Sequence, residues 1–226
     1  MTHSRGASPP DQAIFDRAEQ IPGWFPREPD MRVLYTLASS VVRPQGMLLE
    51  VGSWKGRSSY LLAAVAKAAG ARLVCVDTWA GYPDRDHRLG HILAEARSDD
   101  RFIRHIRANL AEFGVASVGE YLAGSSAWAE GITVVLDEGI SWEQARFWAD
   151  GALDLVFLDG DHDSPGFDRD IDAYWPKLRP GGLLAGHDYG HAEYEDVRSV
   201  VDQAAVTRFG NLQVEEPIWW AAKGPA

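Results

Sequence analysis

The stretch Leu48-Leu49-Glu50-Val51-Gly52-Ser53-Trp54-Lys55-Gly56-Arg57-Ser58 decides the fold. An apolar run ends in glycine, a short turn follows, and a helical pattern then begins. Strand, glycine turn and helix in that order make the opening unit of an α/β sheet. Gly52 lets the chain turn tightly and approach a ligand, and the helix that follows offers unpaired N–H groups to an anion. Trp54 stands where the second glycine of G-x-G-x-x-G would be. A bulky residue there leaves less room for a pyrophosphate than for a carboxylate, so the dinucleotide reading weakens. Glu50, Gly52 and Ser53 are the first candidate cofactor residues.

Outward from this loop, strands and helices alternate. Gly46 to Val51 reads as a buried strand, and Arg57 to Ala69 as a helix stopped by Gly70. Arg72 to Val76 is a second strand with Asp77 at its end. Leu89 to Phe113 holds one long helix or two, and Glu120 to Ala123 is a weak third strand. Leu153 to Leu158 is a strong strand, followed at once by Asp159-Gly160-Asp161-His162. Phe167 to Leu178 is helical, Pro180-Gly181-Gly182 a turn, and Leu183 to Gly186 another strand. Val197, Val200, Val201 and Ala204 mark a further helix, and Asn211 to Val214 with Ile218 to Ala222 a closing hairpin. Upstream, Asp30 to Val42 has helical spacing. Residues 1–20 are expected to be a flexible N-terminal segment, with Asp11 to Gln20 as a short helix at most. Residues 21–226 then form one domain.

This alternation predicts an α/β fold, a mainly parallel sheet with helices on both faces. In such sheets ligands bind at the carboxyl ends of strands, near the switch in strand order. Every polar motif falls at such an end. Residues 125–150 fit least well. Thr133 to Leu136 reads as an extra strand and Ser141 to Asp150 as an extra helix capped by Ser141, and the whole stretch as a lid or insertion.

Asp77, at the end of the second strand, suits the two ribose hydroxyls of a nucleoside. Asp159, Asp161 and His162 follow one strand, and His187, Asp188 and His191 the next. Adjacent parallel strands lie about 4.8 Å apart, so these groups can meet. Asp and His side chains in such a cluster can hold a divalent cation such as magnesium or manganese. A histidine with a near-neutral pKa is also suited to remove a proton, which makes His162 the candidate general base. His87, His91 and His105 are scattered in a helical region and read as solvated or packed.

The quoted stretch resembles motif I of class I S-adenosylmethionine-dependent methyltransferases. Val76-Asp77-Thr78-Trp79 resembles their strand-two acidic motif, and Leu155 to His162 and Leu178 to Tyr189 complete the set. Together these segments are similar to a small bacterial subfamily that includes metal-dependent sugar O-methyltransferases of antibiotic pathways. The resemblance implies a Rossmann-like sheet of seven strands ending in an antiparallel hairpin. It implies S-adenosylmethionine bound at Gly52 and Asp77, with Trp79 available to stack on adenine and an adenine contact near Gly124 and Ser125. In the metal-dependent relatives an opening Asp and a later acidic pair ligate the ion. Asp159 and Asp188 match, and His187 replaces the first acid of the pair, which shifts preference from magnesium toward softer ions. Asp159, His187 and Asp188 are thus the expected metal set, and His162 with Asp159 the expected catalytic pair.

Composition narrows the partners. The 226 residues carry a formal charge of −11, which repels phosphate backbones and argues against nucleic acid. No apolar run approaches a membrane span, and the polar start lacks a signal-peptide core, so a cytoplasmic protein is expected. The single cysteine, Cys75, lies in an apolar run and reads as a small buried hydrophobe. The leading expectation is O-methyl transfer to a small hydroxylated acceptor, a sugar or secondary metabolite. N-methylation of a small amine and a non-catalytic nucleotide-binding or assembly module are the rivals. A homo-oligomer is compatible with everything above.

Overall fold

The computed structural model describes residues 11–23, 28–79, 102–118 and 131–225. Two helices come first, α1 (Gln12–Gln20) and α2 (Glu28–Val41). Strand β1 (Met47–Val51), helix α3 (Arg57–Ala69) and strand β2 (Arg72–Asp77) follow. After α4 (Phe102–Asn109) come β3 (Val115–Ser117), β4 (Val134–Glu138) and the short α5 (Ser141–Gln144). The second half holds β5 (Leu153–Leu158), α6 (Gly166–Tyr174), β6 (Leu178–Gly186), α7 (Glu195–Ala204), β7 (Gln213–Glu215) and β8 (Ile218–Ala222).

The strands form one sheet in the order β3-β4-β2-β1-β5-β6-β8-β7. The first six run parallel, and β8 and β7 close the edge antiparallel. The expected α/β architecture and terminal hairpin are therefore present, with eight strands among the described residues where seven were expected. The added strand is the edge strand β3, too short at three residues to stand out in the sequence.

The central strands are apolar on both sides, as parallel strands covered by helices must be. Leu48, Leu73, Cys75 and Phe157 face one core, with Phe15, Leu34 and Leu61 from the helices. Leu49, Val74, Val156 and Leu158 face the other, with Ile171, Val197 and Val201. At the amino end of β5, the fully buried Asp154 accepts from Arg43 Nε at 2.7 Å and Arg179 Nε at 2.6 Å. This clamp lies at the end of the sheet away from the polar motifs. No helix among the described residues is long and apolar enough to cross a membrane.

Several expectations need correction. The short helix expected at Asp11 to Gln20 is α1, so residues 12–20 are not part of a flexible segment. Asp11 caps α1 by accepting from the Ala13 amide at 3.1 Å, and Phe15 is wholly buried. The extra strand expected at Thr133 to Leu136 is β4, which pairs with β2 on one side and β3 on the other, with Val134, Val135 and Leu136 buried, so this part of the 125–150 stretch belongs to the sheet. The helix beginning at Ser141 turns into a 3₁₀ turn at Ala145–Phe147 and does not reach Asp150. Ser141 does not cap it either, since its hydroxyl is bonded to Asp170. The expected third strand at 120–123, and the first part of the 125–150 stretch, lie outside the described residues.

Candidate active site

The sheet's hydrogen-bond ladder runs past the strand ends and joins the polar loops. The Gly52 amide donates to Val76 O at 2.9 Å, Asp159 to Val51 O at 2.9 Å, and His187 to Leu158 O at 3.2 Å. Gly139 donates to Asp77 O at 3.0 Å. Five loops, after β4, β2, β1, β5 and β6, are thereby set side by side where strand order reverses around β1. Gly52 has φ +83°, and a Cβ there would lie 2.1 Å from Asp159 O. The loop after β1 thus presses directly on the loop that carries the acidic motif.

Trp54 occupies its glycine-like position at a cost. Its φ is +41°, in the left-handed region, worth about 1–2 kcal/mol against a side chain. Four contacts offset that cost. Its amide donates to Asp77 Oδ2 at 2.8 Å, and its carbonyl accepts from Trp79 Nε1 at 3.0 Å. Its ring meets Phe102 edge-on at 6.0 Å, and the Lys55 ammonium lies 4.7 Å above it. Asp77 Oδ1 accepts from the Trp79 amide at 2.7 Å. Asp77 therefore clamps the loops after β1 and β2 together, a role that the ribose reading did not foresee. Burial pushes its carboxyl upward, opposed by these amides. Trp79 is itself buried, with φ +45° and its indole N–H used on Trp54, so it is a packing residue of this clamp.

Glu50 is fully buried beneath the same loop, bonded by the Ser59 hydroxyl at Oε2. Burial raises its carboxyl to about 7, with the serine hydroxyls around it pulling the other way. Its Oε1 and the Ser53 hydroxyl are buried without a hydrogen bond among the described residues. Orphaned polar atoms beside a tight glycine turn fit a polar ligand there, and the uncapped start of α3 at Gly56 adds anion-binding N–H groups. Gly124 and Ser125 lie outside the described residues. The strand neighbouring β2 is β4, so Glu138 and Gly139 are what the sheet places beside Asp77.

The acid and histidine groups converge at the ends of β5 and β6. His162 Nε2 lies 2.8 Å from Asp188 Oδ2 and 3.7 Å from Asp159 Oδ1. His187 Nδ1 lies 3.1 Å from Asp188 Oδ1 and 3.8 Å from Asp159 Oδ1. One Asp188 oxygen thus faces each histidine. Asp188 has φ +60°, an uncommon backbone state of the kind that collects at functional sites. Among the described residues, Asp159, His162 and Asp188 bring ligand atoms all within 4.8 Å of one another. His187, the third member of the expected set, adjoins them, its Nδ1 facing Asp188 Oδ1. Oxygen and imidazole donors this close suit a divalent ion of intermediate softness.

Electrostatics changes the picture of His162. Burial alone would lower its pKa, but Asp159 and Asp188 outweigh burial and raise it to about 10. In the metal-free protein these two acids therefore favour the protonated form of the imidazole expected to act as base. Burial opposes ionisation of Asp188, yet His162 and His187 hold it well below the usual carboxylate range. Burial raises Asp159, against the pull of His162 and His187.

Sequence reading missed three neighbours. Asp30, buried in the first turn of α2, adds its charge to that acting on His187. Tyr194 stacks on His162 with ring centroids 4.4 Å apart. Asp170, buried behind Asp161, is raised by desolvation to about 7 and bonded to Ser141. Of these only Tyr194 leaves a trace in sequence, as an aromatic three residues after His191. His105 is exposed on α4, and His87 and His91 lie outside the described residues.

Residues 49–189 match the family described as Methyltransferase domain. Among solved structures, the chain is similar to a protein assigned as an O-methyltransferase from Klebsiella pneumoniae, at 17% identity and TM-score 0.60. That match covers 96% of this chain and 92% of the other. It is similar to CalS11, a calicheamicin methyltransferase, at 17% identity and TM-score 0.56 over 96% and 94% of the two chains. A SAM-dependent O-methyltransferase from Thermotoga maritima matches at 12% identity and TM-score 0.60, over 94% of this chain and 72% of that one.

Proposed function

The chain belongs to the methyltransferase domain family, as a class I S-adenosylmethionine-dependent enzyme, and from that premise we propose that it methylates a hydroxyl of a small molecule. The observation that carries this reading is the meeting of Asp159, His162 and Asp188 beside the Gly52 turn. S-adenosylmethionine supplies an electrophilic methyl group on a positively charged sulfur. Glu50, Gly52, Ser53 and the start of α3 are the residues that would bind it. Glu50 would place a carboxyl near its cationic part, and Asp77 keeps the loop shaped to receive it.

Alcohol methylation requires the hydroxyl proton to leave as the carbon–oxygen bond forms. His162 is the group placed to accept that proton, and general-base assistance of this kind contributes about 10²–10⁴-fold. Asp159 and Asp188 would hold a divalent cation such as magnesium, manganese or a softer ion. Such an ion would lower the pKa of an acceptor hydroxyl and offset the carboxylate charge that raises His162. Sugars and secondary metabolites, which the resemblance of the sequence motifs implies, come first among the acceptors to screen.

Turnover is read as S-adenosylhomocysteine formed with a panel of hydroxylated and amine acceptors. His162→Ala should abolish it while leaving S-adenosylmethionine binding intact by calorimetry. Retention of bound metal in that variant assigns His162 as base, and loss of metal assigns it as third ligand. Full activity in chelator, with amines as the only acceptors methylated, would replace the reading by metal-free N-methylation.

A further inference from the structure

We infer that Tyr194 is a positioning residue that sets the plane of the His162 imidazole. The inference rests on the reading of His162 as the proton acceptor. Asp159 and Asp188 approach His162 at one atom, Nε2. A contact at a single edge atom fixes where that atom sits and leaves the ring able to swing about it. The Tyr194 ring supplies the missing restraint, lying 4.4 Å from the imidazole centroid with 24° between planes. Offset stacking of this kind prefers one tilt, so it restricts rotation as well as distance.

Tyr194 is itself held firmly enough to serve. Its amide donates to His191 O at 3.1 Å, and its carbonyl accepts from the Val197 amide at 3.1 Å. Its ring packs at the margin of the core beneath α7, and the His191 imidazole stacks on it at 4.9 Å and 29°. The two loops are also tied directly, because the Ser164 amide donates to Asp196 Oδ2 at 2.9 Å. The loop that carries His162 and the turn that starts α7 thus form one unit, with the Tyr194–His162 stack inside it. A base held in plane keeps its lone pair aimed at the acceptor, which is where misorientation costs rate and not binding.

The test uses Tyr194→Phe, Tyr194→Leu and Tyr194→Ala in the full chain, each checked for its melting temperature. In the metal-free protein, the ring current of Tyr194 should shift the His162 ring protons upfield in a histidine-selective spectrum. Phe should keep that shift, and Leu and Ala should lose it. On turnover, Phe should stay within about twofold, and Leu and Ala should lose about tenfold in kcat with KM for S-adenosylmethionine unchanged. His162 resonances that do not move in the Leu variant would overturn the inference, as would a Phe variant as impaired as Ala. If His162→Ala proves fully active, the base assignment fails, while the spectra still decide whether Tyr194 orients the ring.

Discussion

His162 Nε2 and Asp188 Oδ2 lie 2.8 Å apart, at the ends of loops that leave neighbouring strands. The pair gives the metal-free protein a distinct pH signature. His162 is raised to about 10, so its folded value lies above the ordinary 6.5 of an unfolded histidine. A raised base adds stability that is complete below the unfolded value and is lost as pH rises through the folded one. In chelator, the gap in melting temperature between wild type and Asp188→Asn should therefore narrow between about pH 6.5 and pH 10. A gap that stays constant across that window would refute the pairing.

How much of this was legible in sequence depends on whether a feature is local. Gly52, Asp77 and Asp159 each follow an apolar run, and a strand's carboxyl end can be read from the run itself. β4 was legible as a strand from Val134, Val135 and Leu136, but its place in the sheet beside β2 was not, because pairing partners are not encoded in so short an apolar run. The charge on His162 was not legible, since it depends on an acid 26 positions away turned toward it. Asp30 reads in sequence as an ordinary acid at a helix start, and only the packing of α2 brings it toward His187.

Glu50 yields a second pH-linked prediction. Burial favours its neutral form, so its folded pKa of about 7 lies above the usual value near 4.5. Stability from the protonated form is complete below about pH 4.5 and lost as pH rises through 7. Glu50→Gln, which cannot ionise, should melt progressively higher than wild type across that range. The same variant should bind S-adenosylmethionine about tenfold more weakly at pH 8, because it removes a charge-assisted contact to a cation. Unchanged affinity would restrict Glu50 to a structural part.

Asp154 separates stability from activity. Removing a buried carboxylate leaves its cationic partners uncompensated, which costs about 3–5 kcal/mol when both partners are buried. Arg43 is about half exposed, so the loss for Asp154→Ala should be smaller, about 2 kcal/mol. Chemical denaturation measures it. Because the clamp sits at the amino ends of the strands, kcat per folded molecule should not change. A fall in kcat at full occupancy of the native state would show that the clamp reaches the site.

Gly52 tests whether the turn is a cradle or only a bend. An alanine there meets two obstacles. Its φ of +83° disfavours any side chain by about 1–2 kcal/mol, and its Cβ would stand 2.1 Å from Asp159 O, which is backbone and cannot swing away. Relief requires the two loops to part. Parting them moves the binding turn and displaces Asp159 with it, so Gly52→Ala should lose both cofactor affinity and turnover. Gly70 supplies the control, since it shares a positive φ of +65° but has nothing within 4 Å of the point a Cβ would occupy. Gly70→Ala should show the conformational penalty alone, as a lower melting temperature with S-adenosylmethionine affinity intact. If Gly52→Ala behaves like Gly70→Ala, the contact between the two loops is not what shapes the cofactor turn.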